Sequence, residues 1–287
     1  MSKATLCFLV TFLFAVAALA APQADSGSVS VEENVSYGSV NGTTLHLDVY
    51  KPAASNANHA AVILIHGGGW TSLDKSTMRG MGQFLARSGF VAFAVDYRLL
   101  QENGNRWPAQ LDDVQRAVRW VRAKAAKYQV DPQRIGAFGH SAGGQLAALL
   151  GMEDTRDNSD AALAAYSSRV QAVVDVSGPS DFTVGRNAGG IEFLKQFIGS
   201  DQKAWRDASP VYRVAKGDAP FLIVHGTEDN NVPIARAEEL YEKLQAAGVP
   251  ASFIKVNDGH TFRTPEARHE LAVESYAFFK QYLVGGK

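Results

Sequence analysis

One stretch decides the fold: Arg134-Ile135-Gly136-Ala137-Phe138-Gly139-His140-Ser141-Ala142-Gly143-Gly144-Gln145-Leu146-Ala147-Ala148-Leu149-Leu150. A short apolar run leads into small residues around Ser141, and the residues after it suit a helix. Gly139 to Gly143 fits the pattern G-x-S-x-G, in which a serine stands at the tip of a very tight turn between a strand and a helix. Because the chain passes close to such a turn, the residues two before and two after the serine must lack a bulky Cβ. The same residue types occur in ordinary strand-to-helix turns, so the rest of the chain has to decide between the two interpretations.

Length and composition limit the possible classes of protein. The 287 residues suit one large α/β domain or two small ones. Hydrophobic residues make up 46% of the chain, which is enough for a substantial core, and charged residues make up 20%, which is ordinary for a globular protein. The formal net charge is −1. Without a surplus of basic residues to neutralise phosphates, we expect no nucleic acid partner.

The N-terminus has the pattern of an export signal. Lys3 precedes an apolar run over residues 6–18, and Ala18-Leu19-Ala20 fits the small-x-small rule for cleavage. We therefore predict a signal peptide at residues 1–20 and a secreted or periplasmic protein. The run is short for a membrane span and no stop-transfer cluster follows it, so we expect no stable membrane anchor. The single cysteine, Cys7, lies inside this segment, which leaves the mature chain without disulfides or thiolate metal ligands.

The remaining pattern predicts a mostly parallel sheet with helices on both faces. Residues 21–34 are small and polar and are predicted to be a linker, followed by one catalytic domain over residues 35–287. An antiparallel hairpin is expected first, because alternating residues flank Asn41-Gly42, a strong turn signal. Apolar runs typical of strands buried on both faces then alternate with helical patterns, at 61–65, 90–95, 170–176, 221–224 and 252–256 and in the run that leads to Ser141. This is an α/β architecture, in which ligand sites form at the carboxyl ends of the strands.

A serine nucleophile requires a base, and His260 is the expected base. It follows the last predicted strand in Asn257-Asp258-Gly259-His260, in a loop with room to reach Ser141. His140 is adjacent to the serine, where ring geometry disfavours proton transfer. We expect His66 and His225, which end buried strands, to brace loops through hydrogen bonds. The other histidines are assigned to a strand face, a loop and the last helix: His46, His59 and His269.

The base in turn requires an acid that orients it. Asp229 follows the preceding strand and the turn at His225-Gly226, and it is the expected acid. Glu228 is adjacent and is expected to point elsewhere. Asp175 and Asp181, near the end of the strand before, are weaker rivals. Each of these carboxylates could also be a solvated turn residue or a helix cap.

Ester cleavage also needs donors for the developing oxyanion. The glycine run after His66 lets the backbone approach a substrate closely, so the N–H groups of Gly68, Gly69 and Ala142 are the predicted oxyanion hole. The same glycines could be a flexible turn or cradle a phosphate, but neither a G-x-x-x-x-G-K-[ST] motif nor a dinucleotide fingerprint is present. No closely spaced histidine pair occurs, so a catalytic metal is not expected.

Taken together, these motifs resemble the α/β-hydrolase esterases and lipases. More narrowly, the chain is similar to the carboxylesterase branch with the hormone-sensitive-lipase-like enzymes, the bacterial feruloyl and acetyl-xylan esterases, and the kynurenine formamidases. The resemblance spans about residues 35 to 285. The matching pieces are His66-Gly67-Gly68-Gly69-Trp70, Asp96-Tyr97-Arg98, residues 108–120, residues 139–144, His225-Gly226-Thr227-Glu228-Asp229 and Gly259-His260.

The resemblance implies a serine carboxylic-ester hydrolase with the triad Ser141, Asp229 and His260, acting through an acyl-enzyme and without a cofactor. Small acyl, acetyl-sugar or feruloyl-type esters, free or linked to a polysaccharide, are the implied substrates. Trp70, shared with the feruloyl esterase and formamidase types, is either a wall of the substrate pocket or a packing residue. The larger helical cap of the hormone-sensitive-lipase-like enzymes is missing, so a more open site is expected.

Two other functions remain open at this point. The first is an amide hydrolase of the formamidase type. The second is a hydrolase-fold binding protein without catalytic activity. The sequence gives no indication of the oligomeric state.

Overall fold

The structure is a computed structural model that describes residues 28–155, 159–185 and 188–285. The predicted signal peptide at 1–20 and the first part of the predicted linker, residues 21–27, lie outside the described residues. Among the helices within the described ranges, none is both long and apolar enough to cross a membrane.

Eight strands form one sheet in the order β1-β2-β4-β3-β5-β6-β7-β8. The strands are β1 Ser30–Val40, β2 Thr43–Lys51, β3 Ala61–Ile65, β4 Val91–Val95, β5 Ile135–His140, β6 Ala172–Val176, β7 Phe221–Gly226 and β8 Ala251–Val256. β1 pairs antiparallel with β2, β2 pairs antiparallel with β4, and all later pairs are parallel. The hairpin turn is confirmed, because Asn41 and Gly42 both have a positive φ, at 51° and 81°.

Helices cover both faces of this sheet, as the alternating pattern predicts. They are α1 Arg79–Arg87, α2 Ala109–Ala123, α3 Ala125–Tyr128, α4 Ala142–Met152, α5 Ala188–Phe197, α6 Gln202–Asp207, α7 Ala235–Ala246 and α8 Pro265–Phe279. The side chains of α1 and α8 pack on one face, and those of α2, α4 and α7 pack on the other. The strands β3, β4, β6 and β7 are wholly buried and β5 is buried up to His140, which explains their unbroken apolar runs.

The prediction that the linker extends to residue 34 is wrong for residues 30–34. These residues form the first part of the edge strand β1, where Ser30 pairs with Lys51 and Glu32 pairs with Val49. Register shifts on either side of Val35 interrupt the two-residue alternation that identifies a strand in a sequence. An edge strand also tolerates charge: Glu32 Oε1 lies 2.6 Å from Lys51 Nζ.

The parallel strands place the site. β3, β5, β6, β7 and β8 run in the same direction, so the loops that follow them meet at one edge of the sheet. In its described residues, the segment between β6 and β7 forms no strand. It contributes α5 and α6, which agrees with the predicted excursion over one end of the sheet.

Candidate active site

Ser141 stands at a strained, tight turn between β5 and α4. Its φ and ψ are 56° and −119°, which is a costly conformation for a residue with a side chain. Steric contacts require glycine on both sides of Ser141, at positions 139 and 143. A Cβ on Gly139 would lie 1.9 Å from the carbonyl oxygen of Gly143, and a Cβ on Gly143 would lie 2.1 Å from that of Ile65. The sequence pattern therefore forms the sharp turn that it predicts, with the serine at its tip.

The loops after β7 and β8 bring an acid and a histidine to this serine. Ser141 Oγ lies 2.8 Å from His260 Nε2, and His260 Nδ1 lies 2.7 Å from Asp229 Oδ2. A carboxylate only accepts, so Nδ1 carries a proton and donates it to Asp229. Nε2 is then the acceptor for the serine hydroxyl. This geometry agrees with the predicted roles of nucleophile, general base and orienting acid, which remain predictions.

Asp229 is held as an anion by four donors. The N–H groups of Asn231 and Val232 donate to Oδ1 at 2.8 and 2.9 Å. His260 donates to Oδ2, and His225 Nε2 lies 3.2 Å from the same oxygen. Burial alone would raise the pKa of Asp229, but these hydrogen bonds outweigh it and hold the pKa well below its usual range. Asp229 is therefore charged at neutral pH.

The rival carboxylates lie elsewhere. Glu228 is exposed. Asp181 accepts the N–H of Thr183 at 2.7 Å, so it stabilises a turn. Asp175 is buried and accepts the N–H of Gly178 at 3.0 Å, and burial raises its pKa to about 6. Within the described part of the chain, none of the three is hydrogen-bonded to His260.

Two further histidines support the site. The prediction that His225 braces a loop is confirmed, because its Nε2 lies 2.9 Å from the carbonyl oxygen of Val232. Its contact with Asp229 was not predicted. His140 Nε2 lies 2.7 Å from the carbonyl oxygen of His260 and fixes the loop that carries the base. This role was missed too. The only signal in the sequence was the position of each histidine at a strand end.

The loop after β3 presents free backbone donors near Ser141. Gly68 and Gly69 have φ values of 98° and 59°, and a Cβ on Gly68 would lie 2.0 Å from the carbonyl oxygen of Ser72. Among the described residues, no protein acceptor takes the N–H groups of Gly68, Gly69 or Ala142. Both glycines line a pocket of about 390 Å³ together with Ser141 and His260. The assignment of these three N–H groups as an oxyanion hole agrees with this geometry and remains a prediction.

His66 braces this loop, as predicted. Its ring stacks on that of Tyr97 at 4.2 Å with an interplanar angle of 8°. The Tyr97 hydroxyl donates to the carbonyl oxygens of His66 and Gly67 at 3.0 and 3.1 Å. The strand end of β3 is thereby tied to the loop after β4, which keeps the free N–H groups in place.

Trp70 connects the site with the segment between β6 and β7. Its indole is 6% exposed and stacks on Phe197 at 4.9 Å, with Phe182 edge-on at 5.6 Å. The indole Nε1 donates to Gln145 Oε1 at 3.1 Å. These contacts are those of a packing residue. Trp70 also contributes to the lining of the pocket around Ser141, so its role as a pocket wall stays a prediction.

The described ranges contain no candidate metal site. There, no group of three or more His, Cys, Asp or Glu side chains could hold a metal ion.

Comparisons with known proteins agree with this geometry. The chain is 31% identical over 223 residues to the probable carboxylic ester hydrolase LipM of Mycobacterium tuberculosis, a match that covers 74% of this chain and 51% of LipM. It is 32% identical over 212 residues to esterase LipC of the same organism, covering 70% of this chain and 52% of LipC. The chain therefore spans about half the length of these curated relatives.

Solved structures match over nearly the whole length of both chains. The propionate-bound esterase Est2 of Thermogutta terrifontis superimposes with a TM-score of 0.74 at 27% identity, covering 91% of this chain and 96% of that one. A truncated carbohydrate esterase from gut microbiota superimposes with a TM-score of 0.75 at 30% identity, covering 90% and 98%. The fold is thus the α/β-hydrolase fold.

The family follows from a match to the whole central part of the chain. The BD-FAE family model matches residues 47–244, which run from β2 to α7 and include the glycine loop, the serine turn and the predicted acid. By this match, which extends over more than half of its length, the chain belongs to the BD-FAE family.

Proposed function

We propose that the protein is a serine carboxylic-ester hydrolase that works through an acyl-enzyme. The single observation that carries the proposal is the chain of hydrogen bonds from Ser141 Oγ through His260 to Asp229, at 2.8 and 2.7 Å. The esterase names of the relatives support the same reaction class.

In the first half of the reaction, Ser141 Oγ attacks the ester carbonyl carbon and its proton moves to His260 Nε2. The negative charge that develops on the carbonyl oxygen is stabilised by the N–H groups of Gly68, Gly69 and Ala142. Removal of one such donor typically raises the barrier by about 2.7–4 kcal/mol. His260 then protonates the leaving alcohol oxygen, the carbon–oxygen bond breaks, and the acyl group stays on Ser141.

In the second half, water attacks the acyl-enzyme. His260 accepts a proton from the water, and Ser141 leaves with that proton as the carboxylic acid is released. Asp229 holds the Nδ1–H tautomer of His260 throughout and stabilises the imidazolium when it forms. The depressed pKa of Asp229 suits this task, because the acid has to remain charged.

We propose small acyl groups as the acyl part of the substrate, including acetyl groups on sugars and feruloyl-type acids. The carbohydrate esterase among the structural relatives supports this class. The pattern of residues 1–20 supports a secreted or periplasmic location, where such esters occur outside the cell.

Hydrolysis of 4-nitrophenyl acetate by the wild-type chain and by Ser141→Ala tests the proposal. We expect the variant to lose at least about 10³-fold in kcat. Ser88→Ala, which removes a hydroxyl at the end of α1, is the matched control and should keep full activity. Residual turnover above a tenth in a folded Ser141→Ala protein would remove Ser141 from the mechanism.

The formamidase alternative is tested in the same preparation. A matched pair, 4-nitrophenyl acetate and 4-nitroacetanilide, is compared by kcat/KM. The proposal predicts that the ester is preferred by several orders of magnitude, because the amide has the poorer leaving group. A preference for the amide would favour the alternative, and no turnover of either would favour the binding protein.

A further inference from the structure

A second, apolar groove adjoins the pocket around Ser141. It has a volume of about 520 Å³, within the range of small-molecule sites. Its walls are α1, with Met81 and Phe84, and α8, with Leu271 and Ala272. The proposed reaction does not use any of these four side chains.

The floor of this groove is formed by the hydrophobic core. Phe138 and Val176, at the ends of β5 and β6, are 3% and 0% exposed and lie at its base. Arg268 is the one charged side chain among the described residues that line it. A groove with an apolar floor and so little charge favours an alkyl or aryl group over a sugar, whose hydroxyls would lose their hydrogen bonds with water.

The groove and the pocket around Ser141 share part of their rim. Leu73, His140 and Thr261 line both of them. Leu73 has a φ of 68° and its side chain is 54% exposed, so an apolar side chain stands at the junction of the two spaces. A substituent that crosses this shared rim would leave the pocket around Ser141 and enter the groove.

The side of the serine on which the groove opens identifies the part of the substrate that enters it. Thr261 directly follows His260 in the chain, and the ring of His140 lies 5.1 Å from that of His260. His260 has to protonate the leaving alcohol oxygen, so the alcohol part of an ester lies on the His260 side of Ser141. His140 and Thr261 place part of the rim of the groove on this side.

We propose that the groove between α1 and α8 binds the alcohol part of the ester, and that this part is an alkyl or aryl group. The inference rests on the proposed ester hydrolysis and narrows its substrates, because it places alkyl and aryl esters ahead of the acetylated sugars named above. Each methylene transferred from water into such a groove strengthens binding by up to about fourfold. Hexyl acetate has four methylenes more than ethyl acetate, so kcat/KM of the wild-type chain is expected to be more than tenfold higher for hexyl acetate.

Gly80 allows the groove to be filled. It lies on α1 at the groove, and a Cβ built there meets no heavy atom within 4 Å. Gly80→Leu is therefore expected to fold and to occupy space that the alcohol chain would use. Ala272→Leu, on α8, fills the groove from the other side. Gly104→Leu is the matched control, because its Cβ position is equally open and Gly104 lines neither space.

The experiment measures acetate release from ethyl, hexyl and benzyl acetate and from acetylated xylose, with all four proteins. We expect Gly80→Leu and Ala272→Leu each to lower the hexyl-to-ethyl ratio of kcat/KM at least about fivefold, and Gly104→Leu to leave it unchanged. In a parallel series of 4-nitrophenyl esters with acyl chains of two to eight carbons, kcat/KM of the groove variants should depend on chain length as it does in the wild-type chain.

Either of two results with the groove variants would overturn the proposal while leaving ester hydrolysis in place. One is an unchanged hexyl-to-ethyl ratio in both groove variants. The other is a loss confined to the acyl-chain series, which would assign the groove to the acyl group. A wild-type preference for acetylated xylose over hexyl acetate would also contradict it. Failure of the proposed function looks different, because then the wild-type chain hydrolyses none of these esters.

Discussion

Replacement of Asp229 by asparagine is the most informative substitution in the site. It exchanges one carboxylate oxygen for an NH₂ group. Asn231 and Val232 donate their N–H groups to Oδ1, so the carbonyl oxygen of an asparagine would take that position and keep both bonds. The amide NH₂ would then replace Oδ2. There it faces His260 Nδ1 at 2.7 Å and His225 Nε2 at 3.2 Å, both of which are donors in the wild-type protein. The opposite orientation of the amide would break two backbone hydrogen bonds instead.

The asparagine NH₂ and His260 Nδ1–H would both be donors, and this conflict determines how far the activity falls. His225 keeps its bond to the carbonyl oxygen of Val232 at 2.9 Å, so only His260 loses its acceptor. His260 regains a hydrogen bond by moving its proton to Nε2, because Nδ1 then accepts from the amide NH₂, and in that tautomer it cannot accept the proton of Ser141. Loss of the correct tautomer in a serine triad lowers kcat by about 10⁴-fold, or about 5 kcal/mol in the barrier. The cost in stability is smaller, about 1–3 kcal/mol for one poorly paired buried group.

Steady-state hydrolysis of 4-nitrophenyl acetate measures this effect, with urea unfolding of the same samples to establish that the variant is folded. Glu228→Gln is the matched control: it makes the same chemical change at the adjacent, exposed carboxylate and should stay within twofold of wild type. If folded Asp229→Asn keeps more than about a tenth of the wild-type kcat, the assignment of Asp229 as the orienting acid is refuted.

Three further predictions follow from the packing around the site. Burial raises the pKa of Asp175 to about 6, above the unfolded value of about 3.9, so the folded state binds this proton more tightly and loses stability as the pH rises from about 4 to 6. Asp175→Asn should remove this dependence of the free energy of unfolding on pH, and it should be more stable than wild type by up to about 3 kcal/mol at pH 7.5. Outside the range from about pH 4 to 6, the free energy of unfolding of the two proteins should depend on pH in the same way. Gly139→Ala places a methyl group 1.9 Å from the carbonyl oxygen of Gly143 and should destabilise the fold by at least about 3 kcal/mol in denaturant unfolding; a variant of wild-type stability would contradict the turn geometry. Trp70→Ala removes the stack on Phe197 and should cost about 3–5 kcal/mol in the same assay, whereas a loss of activity at unchanged stability would make Trp70 a residue of the pocket alone.

The strands were predictable because parallel strands buried on both faces have unbroken apolar runs. The serine turn was predictable because its glycines are forced by contacts within a few residues, as the 1.9 Å approach at Gly139 illustrates. Since the ends of parallel strands share one edge, the positions of Asp229 and His260 after their strands were enough to bring them to Ser141.

What the sequence did not reveal depends on contacts between distant parts of the chain. Residues 30–34 carry no alternating pattern, because register shifts interrupt the strand, and they are ordered by pairing with β2. The contact of His225 with Asp229 depends on the path of the loop after β7. The apolar groove forms only where α1 and α8, which are separated in sequence by the strands β4 to β8, lie side by side.

The central claim is that Ser141 is the nucleophile of an ester hydrolase, and covalent trapping tests it most directly. The related esterase 2 of Thermogutta terrifontis has been solved phosphorylated by paraoxon. After incubation of this protein with paraoxon, mass spectrometry of the intact chain and of its peptides should find one diethylphosphoryl group, on the peptide that contains Ser141. Ester hydrolysis should fall in proportion to labelling, and Ser141→Ala should remain unlabelled. Full labelling of Ser141 with hydrolysis intact, or inactivation with the label on another residue, would contradict the claim.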